Sequence, residues 1–169
     1  MNYDAAAWHE YFVAQAGAAA ALAGLIFVAV SINLREILRF PQLPGRVAEA
    51  LIALVQLLVV AMIVLIPDQS ARALGAELLI IGVVVVLSLL TFQLQSLRAV
   101  PAGAEGESAG SPRARVLIAS QVVGLPVILA GATLVAHAGG GLYWLAAGTG
   151  LAVVAGITDA WVLLIEILR

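Results

Sequence analysis

The sequence contains no cysteine and no lysine, and only 11% of its residues carry a charge. The missing cysteine excludes disulfide bonds and thiolate metal sites. All eight cationic side chains are arginines, and the net charge of −2 gives no reason to expect a nucleic-acid partner. Since a soluble domain is usually about one quarter charged, this chain lacks the polar side chains needed to cover a surface in water.

Apolar residues dominate the composition. They make up 63% of the 169 residues, and the mean hydropathy is +1.11. The lipid bilayer is therefore the solvent and the first partner to expect. A chain of this length allows one domain, residues 1–169, with no room for a separate soluble enzyme.

Long apolar runs predict an all-α, polytopic membrane protein. A membrane-spanning helix needs roughly 20 mostly apolar residues. Five runs qualify and predict a bundle of about five transmembrane helices, at residues 12–34, 47–66, 74–95, 116–137 and 142–168. Pro41, Pro44 and Gly45 are expected to break the chain after the first helix, and three glycines, 139–141, to join the last two. Residues 97–115 are small, polar or turn-forming and predict a flexible cytoplasmic loop.

The arginines predict an orientation. Six of them flank two of the connections on one side, and another ends the chain: Arg35, Arg39, Arg46, Arg98, Arg113, Arg115 and Arg169. The opposite side has only Arg72. The positive-inside rule then places the N-terminus outside and the C-terminus in the cytoplasm.

Catalytic and cofactor signatures are incomplete. His9-Glu10 opens like a zinc-protease motif, but Val13 stands where the second histidine belongs. Gly148-Thr149-Gly150 starts like a dinucleotide-binding turn, but it lies inside an apolar run with no preceding strand. We therefore expect no enzyme activity, no cofactor and no metal site.

Small residues recur at helical spacing and predict the packing faces of the bundle. The glycines expected at these faces are Gly17, Gly24, Gly124, Gly131 and Gly148. The first helix carries a dense small-residue surface, residues 16–21 with Gly24, which is wide enough for two neighbours. It predicts a homo-oligomer, with a monomer using that surface internally as the alternative.

Polar residues inside the apolar runs are the candidates for function. Asp159 stands out because a carboxylate near the bilayer centre is costly and usually faces protein or water. It is either a proton or cation site or, if the last helix ends early, an interfacial anchor. The other candidates for a polar core or permeation path carry amides or hydroxyls: Gln56, Gln121, Ser88, Thr91 and Gln95.

The opening segment carries a resemblance. Residues 8–14 (WHEYFVA), the alanines 18–21 and residues 24–34 (GLIFVAVSINL) resemble a group of small multi-helix membrane proteins of high-GC bacteria. The resemblance covers mainly the first helix and the Pro-Gly loop after it. It implies a bacterial inner-membrane protein and supplies no mechanism.

These observations lead to two function hypotheses. The first is a non-catalytic, homo-oligomeric channel or permeation pathway for protons or small ions. The alternative is a structural or accessory subunit of a larger membrane complex, with a membrane-protein partner that the sequence does not identify. A membrane-embedded enzyme would need paired catalytic groups at one depth, and the sequence offers none.

Overall fold

A computed structural model of the protein describes residues 6–40, 43–99 and 112–168. This part of the chain is all-α, as predicted. A 3-10 turn at Ala6–Trp8 leads directly into the first of five helices. The helices are α1 (His9–Arg39), α2 (Leu43–Val64), α3 (Ala71–Ala99), α4 (Pro112–Val135) and α5 (Tyr143–Leu168).

In the described part of the chain, three helices are long and apolar enough to cross a membrane. They are α1, α2 and the Ala71–Thr91 portion of α3. Within the described residues, α4 and α5 contribute shorter apolar stretches, Val123–Val135 and Tyr143–Val154. The three long helices indicate a membrane location, because such lengths of apolar helix match the hydrocarbon thickness of a bilayer.

The connection from α1 to α2 is shorter than the sequence suggested. α1 is kinked at Asn33, close to the predicted helix end at residue 34, but it then resumes and runs to Arg39, whose guanidinium pairs with the Glu36 carboxylate at 2.9 Å. α2 already begins at Leu43, so Pro44 and Gly45 lie in its first turn and do not break the chain. Proline is tolerated there because the first N–H groups of a helix have no intrahelical acceptor.

Two turns follow the expected chemistry. The Ser70 hydroxyl accepts a hydrogen bond from the Ala73 N–H at 3.1 Å and so caps the start of α3. Between α4 and α5, all three glycines 139–141 have positive φ. A Cβ on Gly140 would lie 2.7 Å from the Trp144 ring nitrogen, so this turn needs glycine for its space as well as for its conformation.

The closest helix pair is α3 with α4, and glycine makes the approach possible. A Cβ built on Gly131 would lie 2.7 Å from the Gly75 carbonyl oxygen, and one built on Gly75 would lie 2.9 Å from the Gly131 carbonyl oxygen. Two helical turns away on each helix, a Cβ on Gly82 would lie 2.6 Å from the Ile128 side chain, and one on Gly124 would lie 2.5 Å from the Val86 side chain. The two helices therefore pack backbone against backbone at Gly75 and Gly131, and at Gly82 and Gly124 each glycine makes room for a side chain of the other helix.

An apolar cluster fills the end of the bundle where α1 begins. It contains Phe12, Val60, Leu78, Leu134 and Leu145, which are all buried. α1 contributes only one edge to this core. In its most apolar window 11% of the residues are buried, compared with 50% in α2. Most of α1 therefore faces away from the chain's own core.

We predict that Gly131→Ala lowers the free energy of unfolding by about 1–3 kcal/mol, because the added methyl meets the backbone of α3. Gly150→Ala on α5 is the matched control, since its Cβ would meet no described atom within 4 Å. That control should be neutral or stabilising by up to about 1 kcal/mol. Reversible unfolding in mild detergent measures both, and equal effects would contradict the packing described here.

Candidate functional site

A buried hydrogen-bond network joins three helices. The Gln15 amide nitrogen on α1 donates to the Leu57 carbonyl of α2 at 2.9 Å. The Thr149 hydroxyl of α5 lies 2.8 Å from the Gln15 amide oxygen and 2.8 Å from the Leu145 carbonyl, so its one proton is shared between these two acceptors. Only 6% of Gln15 is exposed, and both its amide nitrogen and its amide oxygen have a protein partner. The network therefore ties the first helix to the last.

These three residues lie at a common depth. Gln15 and Thr149 are each six residues inside their helices, and Leu57 is seven residues before the end of α2. At 1.5 Å per residue this places them about 9–10 Å from the same end of the bundle. They form a polar layer beneath the apolar cluster, because Phe12 and Leu145 lie one turn closer to that end.

Gln56 extends this layer toward α4. It is the most deeply buried polar residue described, at 3% exposure. Its amide nitrogen donates to the Val123 carbonyl at 3.2 Å. Its amide oxygen is buried and has no hydrogen-bond partner among the described residues. A buried carbonyl left in this state is costly, so the site lacks a hydrogen donor.

Gln121 supplies an unused donor on α4. It lies two residues before Val123, and its side chain is half-buried. Its amide nitrogen is fully buried and, within the residues that the structure describes, unpaired. Gln56 thus contacts α4 at Val123, whereas Gln121 shares the side of α4 that carries Gly124 and Gly131 and packs on α3. Both were predicted for a polar core.

The other predicted polar residues lie elsewhere or are not described. On α3, the Ser88 hydroxyl donates to the Val84 carbonyl at 2.8 Å, and the Thr91 hydroxyl to the Ser88 carbonyl at 2.7 Å. Both hydroxyls are therefore used within their own helix. The side chains of Gln95 on α3 and Asp159 on α5 lie outside the described residues, so the roles expected for them stay predictions.

The predicted packing glycines divide into two groups. Gly124 and Gly131 lie in the close contact of α4 with α3, and a Cβ on Gly148 of α5 would lie 2.6 Å from the Pro126 ring. By contrast, a Cβ on Gly17 or Gly24 of α1 would meet no described atom within 4 Å. The small-residue surface of α1 is therefore divided: Gly17 and Gly24 are open within the described part of one chain, whereas Ala19 is buried in its core.

Two side-chain contacts link the helices at the end of the bundle where α1 begins. The Trp8 ring packs edge-on against Tyr143 with centroids 4.8 Å apart, which joins the beginnings of α1 and α5. The Arg72 Nε donates to the His137 Nε2 at 3.2 Å, so this imidazole nitrogen acts as an acceptor. Aromatic rings at a helix end match the belt expected at a membrane interface.

The chemistry available in this layer is that of neutral amides and hydroxyls. Such groups donate and accept hydrogen bonds but do not exchange protons as acids or bases near neutral pH. Within the described ranges, no group of three His, Cys, Asp or Glu side chains is placed to hold a metal ion. The layer can therefore orient water or small polar species.

Sequence reasoning passed over Gln15 and Thr149. The signal was present, because Gln15 interrupts a long apolar run and polar residues inside such runs usually face protein. What the sequence could not show is that α5 lies beside α1 and brings Thr149 within reach.

Comparisons with protein-family models, curated proteins and solved structures find no match for this chain.

We predict that Thr149→Val lowers the free energy of unfolding by about 1 kcal/mol, within the range for hydrogen bonds between membrane helices. The loss arises because the Gln15 oxygen loses its donor. In a Gln15→Leu background the same change should cost almost nothing, since no acceptor remains to be satisfied. A double-mutant cycle measured by reversible unfolding tests this coupling, and additive effects would contradict it.

Proposed function

We propose that the protein is a non-catalytic, homo-oligomeric membrane protein that provides a permeation pathway for protons or small ions. The observation that carries this proposal is the polar layer of Gln15, Gln56 and Thr149, buried between helices that are otherwise apolar. Polar groups inside a membrane are expensive and usually mark an ion or proton path. The unpaired amides of Gln56 and Gln121 add support, because a permeating species or water would satisfy them.

The packing favours protons over hydrated ions. The apolar cluster around Phe12, Val60 and Leu78 lies between the polar layer and one end of the bundle. A hydrophobic constriction of this kind gates by excluding water. Protons need only a transient file of water molecules to cross such a barrier, whereas a hydrated ion needs a wider opening.

The proposal includes a topology. All five helices span the membrane, with the N-terminus outside and the C-terminus in the cytoplasm. The arginines at the opposite end of the bundle from Trp8 support this orientation, because cytoplasmic loops carry an excess of arginine. The resemblance of the first helix to proteins of high-GC bacteria supports the bacterial inner membrane as the location.

We predict that Gln56→Leu lowers proton flux into liposomes about tenfold or more. Loss of one hydrogen-bonding group costs about 1–3 kcal/mol, and about 1.4 kcal/mol corresponds to a tenfold change in rate. Val55→Leu is the matched control because the neighbouring Val55 is exposed on the outside of the bundle. It should conduct like the parent protein.

Two results would reject the permeation pathway. One is parent protein that carries no proton or ion flux at any pH or voltage. The other is a Gln56→Leu variant that inserts normally and conducts as well as Val55→Leu.

In the same assay, Asp159→Asn should remove the pH dependence of flux while retaining hydrogen bonding. An unchanged pH response would remove Asp159 from the pathway.

The accessory-subunit function is the second candidate, and the open face of α1 favours it. Gly17 and Gly24 make no close contact among the described residues, although small residues in membrane helices usually allow close helix packing. A partner could be a second copy of this chain, as proposed above, or a different membrane protein. In either case the α1 surface is the place for the contact.

We predict that Gly17→Leu with Gly24→Leu reduces the assembled species to single chains in native mass spectrometry. Since an added side chain at either position enters open space within one chain, the fold itself should be preserved. Ala29→Leu is the matched control, because Ala29 is also exposed on α1 but lies on another part of its circumference. It should leave assembly intact.

The same experiment separates the two candidates. A strictly monomeric parent protein would reject the homo-oligomer. A stoichiometric second protein that co-purifies with the parent, and is lost in the glycine variant, would favour the accessory subunit. Assembly that survives both leucine substitutions would show that α1 is not the interface.

A further inference from the structure

α1 bends near its far end, where two of its side chains hydrogen-bond to its own backbone. The Ser31 hydroxyl donates to the Phe27 carbonyl at 2.8 Å. The Asn33 amide nitrogen donates to the Ala29 carbonyl at 2.9 Å. Side chains that bond to the carbonyl four residues earlier often bend a helix. Asn33 itself has φ −104° and ψ 15°, outside the helical range, and the helix resumes after it.

The bend lies at the depth where α1 leaves the hydrocarbon of a bilayer. Asn33 lies 22 residues beyond Tyr11, one of the aromatic residues near the start of α1. At 1.5 Å per residue this separation is about 33 Å, whereas the hydrocarbon core is about 30 Å thick. With Tyr11 at one membrane interface, residues 34–40 therefore reach the other. We call residues 34–40 the interfacial segment.

One side chain anchors the interfacial segment to the bundle, and two leucines face away from it. Ile37 is buried with Leu43 and Val47 of α2, which fixes how the segment is rotated about its axis. Leu34 and Leu38 are four residues apart and share a face. They are 49% and 65% exposed. In a bilayer this exposed leucine face contacts acyl chains.

The next face of the segment carries two arginines. Arg35 and Arg39 each follow one of the leucines in sequence, so they share a face about 100° further around the helix. The Arg39 guanidinium pairs with Glu36 at 2.9 Å, and the Arg39 side chain is still 69% exposed. Arg35 is exposed, and the structure shows no ion pair for it among the described residues. The arginine face therefore carries one positive charge that no described ion pair neutralises.

We propose that the interfacial segment binds one anionic phospholipid, whose phosphate is held by Arg35 and Arg39 and whose acyl chains lie against the leucine face. Side chains at this spacing have Cβ atoms about 5–6 Å apart, so both guanidinium groups can reach one phosphate. Arginine suits this role because its planar guanidinium matches the geometry of phosphate oxygens.

The two neighbouring faces select the kind of ligand. A free phosphate would gain nothing from the leucine face, whereas a lipid uses both faces at once. A zwitterionic lipid fits less well, because its own cationic group would meet the net positive charge of the arginine face. The site goes beyond the proposed permeation pathway, since it requires a membrane location and no conduction.

A single label tests the site, because the chain has no cysteine of its own. Ile32→Cys places a fluorophore beside the bend at a position that is 77% exposed, and Val13→Cys places it at an exposed position near the other end of α1. The full-length proteins are reconstituted in vesicles of equal parts phosphatidylglycerol and phosphatidylethanolamine, with quenching bromine atoms on the acyl chains of one lipid or the other.

We expect the association constant read from quenching at position 32 to favour phosphatidylglycerol about fivefold, because cationic side chains near a membrane surface attract anionic lipids. The label at position 13 should show no preference. Equal quenching by the two lipids at position 32, or the same preference at both positions, would overturn the proposal.

Substitution supplies a second arm of the test. In the protein labelled at position 32, Arg35→Gln should remove the preference for phosphatidylglycerol. Arg72→Gln is the matched control, because it removes one exposed arginine from the opposite end of the bundle and should keep the preference. If Arg35→Gln fails to reconstitute, Arg39→Gln replaces it, which also leaves the Glu36 carboxylate without its partner. A full preference in the reconstituted variant would overturn the proposal.

Inorganic phosphate separates a lipid from a free anion. Added phosphate should leave the preference for phosphatidylglycerol as it is in chloride at the same ionic strength. A preference that disappears in phosphate but persists in chloride would overturn the lipid as the occupant of the site.

Discussion

The arrangement of this bundle depends on the close approach of α3 and α4. Four glycines, two on each helix, remove the side chains that would hold the backbones apart. In lipid there is little hydrophobic drive to bring helices together, so packing and hydrogen bonds must supply the attraction. The α3–α4 pair therefore acts as the rigid part of the structure. α2 and α5 pack beside it, and the polar layer is formed by Gln15 of α1, Gln56 of α2 and Thr149 of α5.

The requirement that buried polar groups form hydrogen bonds explains how α1, α2, α4 and α5 are linked through Gln15 and Gln56. Gln15 has a partner for its nitrogen on α2 and one for its oxygen on α5. Gln56 meets this requirement only in part, since its nitrogen is paired and its oxygen is not. The difference separates a residue that holds helices together from one that is available to another molecule. It also explains why the polar layer continues into α4.

Hydropathy predicted five helices, and three of them are long and apolar enough within the described residues to cross a bilayer. It predicted helix ends less well, since Pro44 is accommodated in the first turn of α2 and α1 continues through its charged residues to Arg39. The polar candidates Gln56 and Gln121 were visible as amides inside apolar runs. Gln15, Thr149, Gly75 and Gly82 were not selected, because their significance depends on which helices are neighbours and one sequence does not reveal that.

The bond between Gln15 and Thr149 has a consequence for biosynthesis. The two residues are 134 positions apart, and ribosomes add about 5–20 residues per second. Thr149 therefore emerges about 7–27 s after Gln15, long after α1 is able to enter the membrane. During this interval the Gln15 oxygen lacks its final donor and must be satisfied by water, the insertion machinery or another nascent helix. The first helix therefore reaches its final environment only when the last one arrives, so a truncated chain that ends before α5 should be recognised as incomplete by membrane proteases.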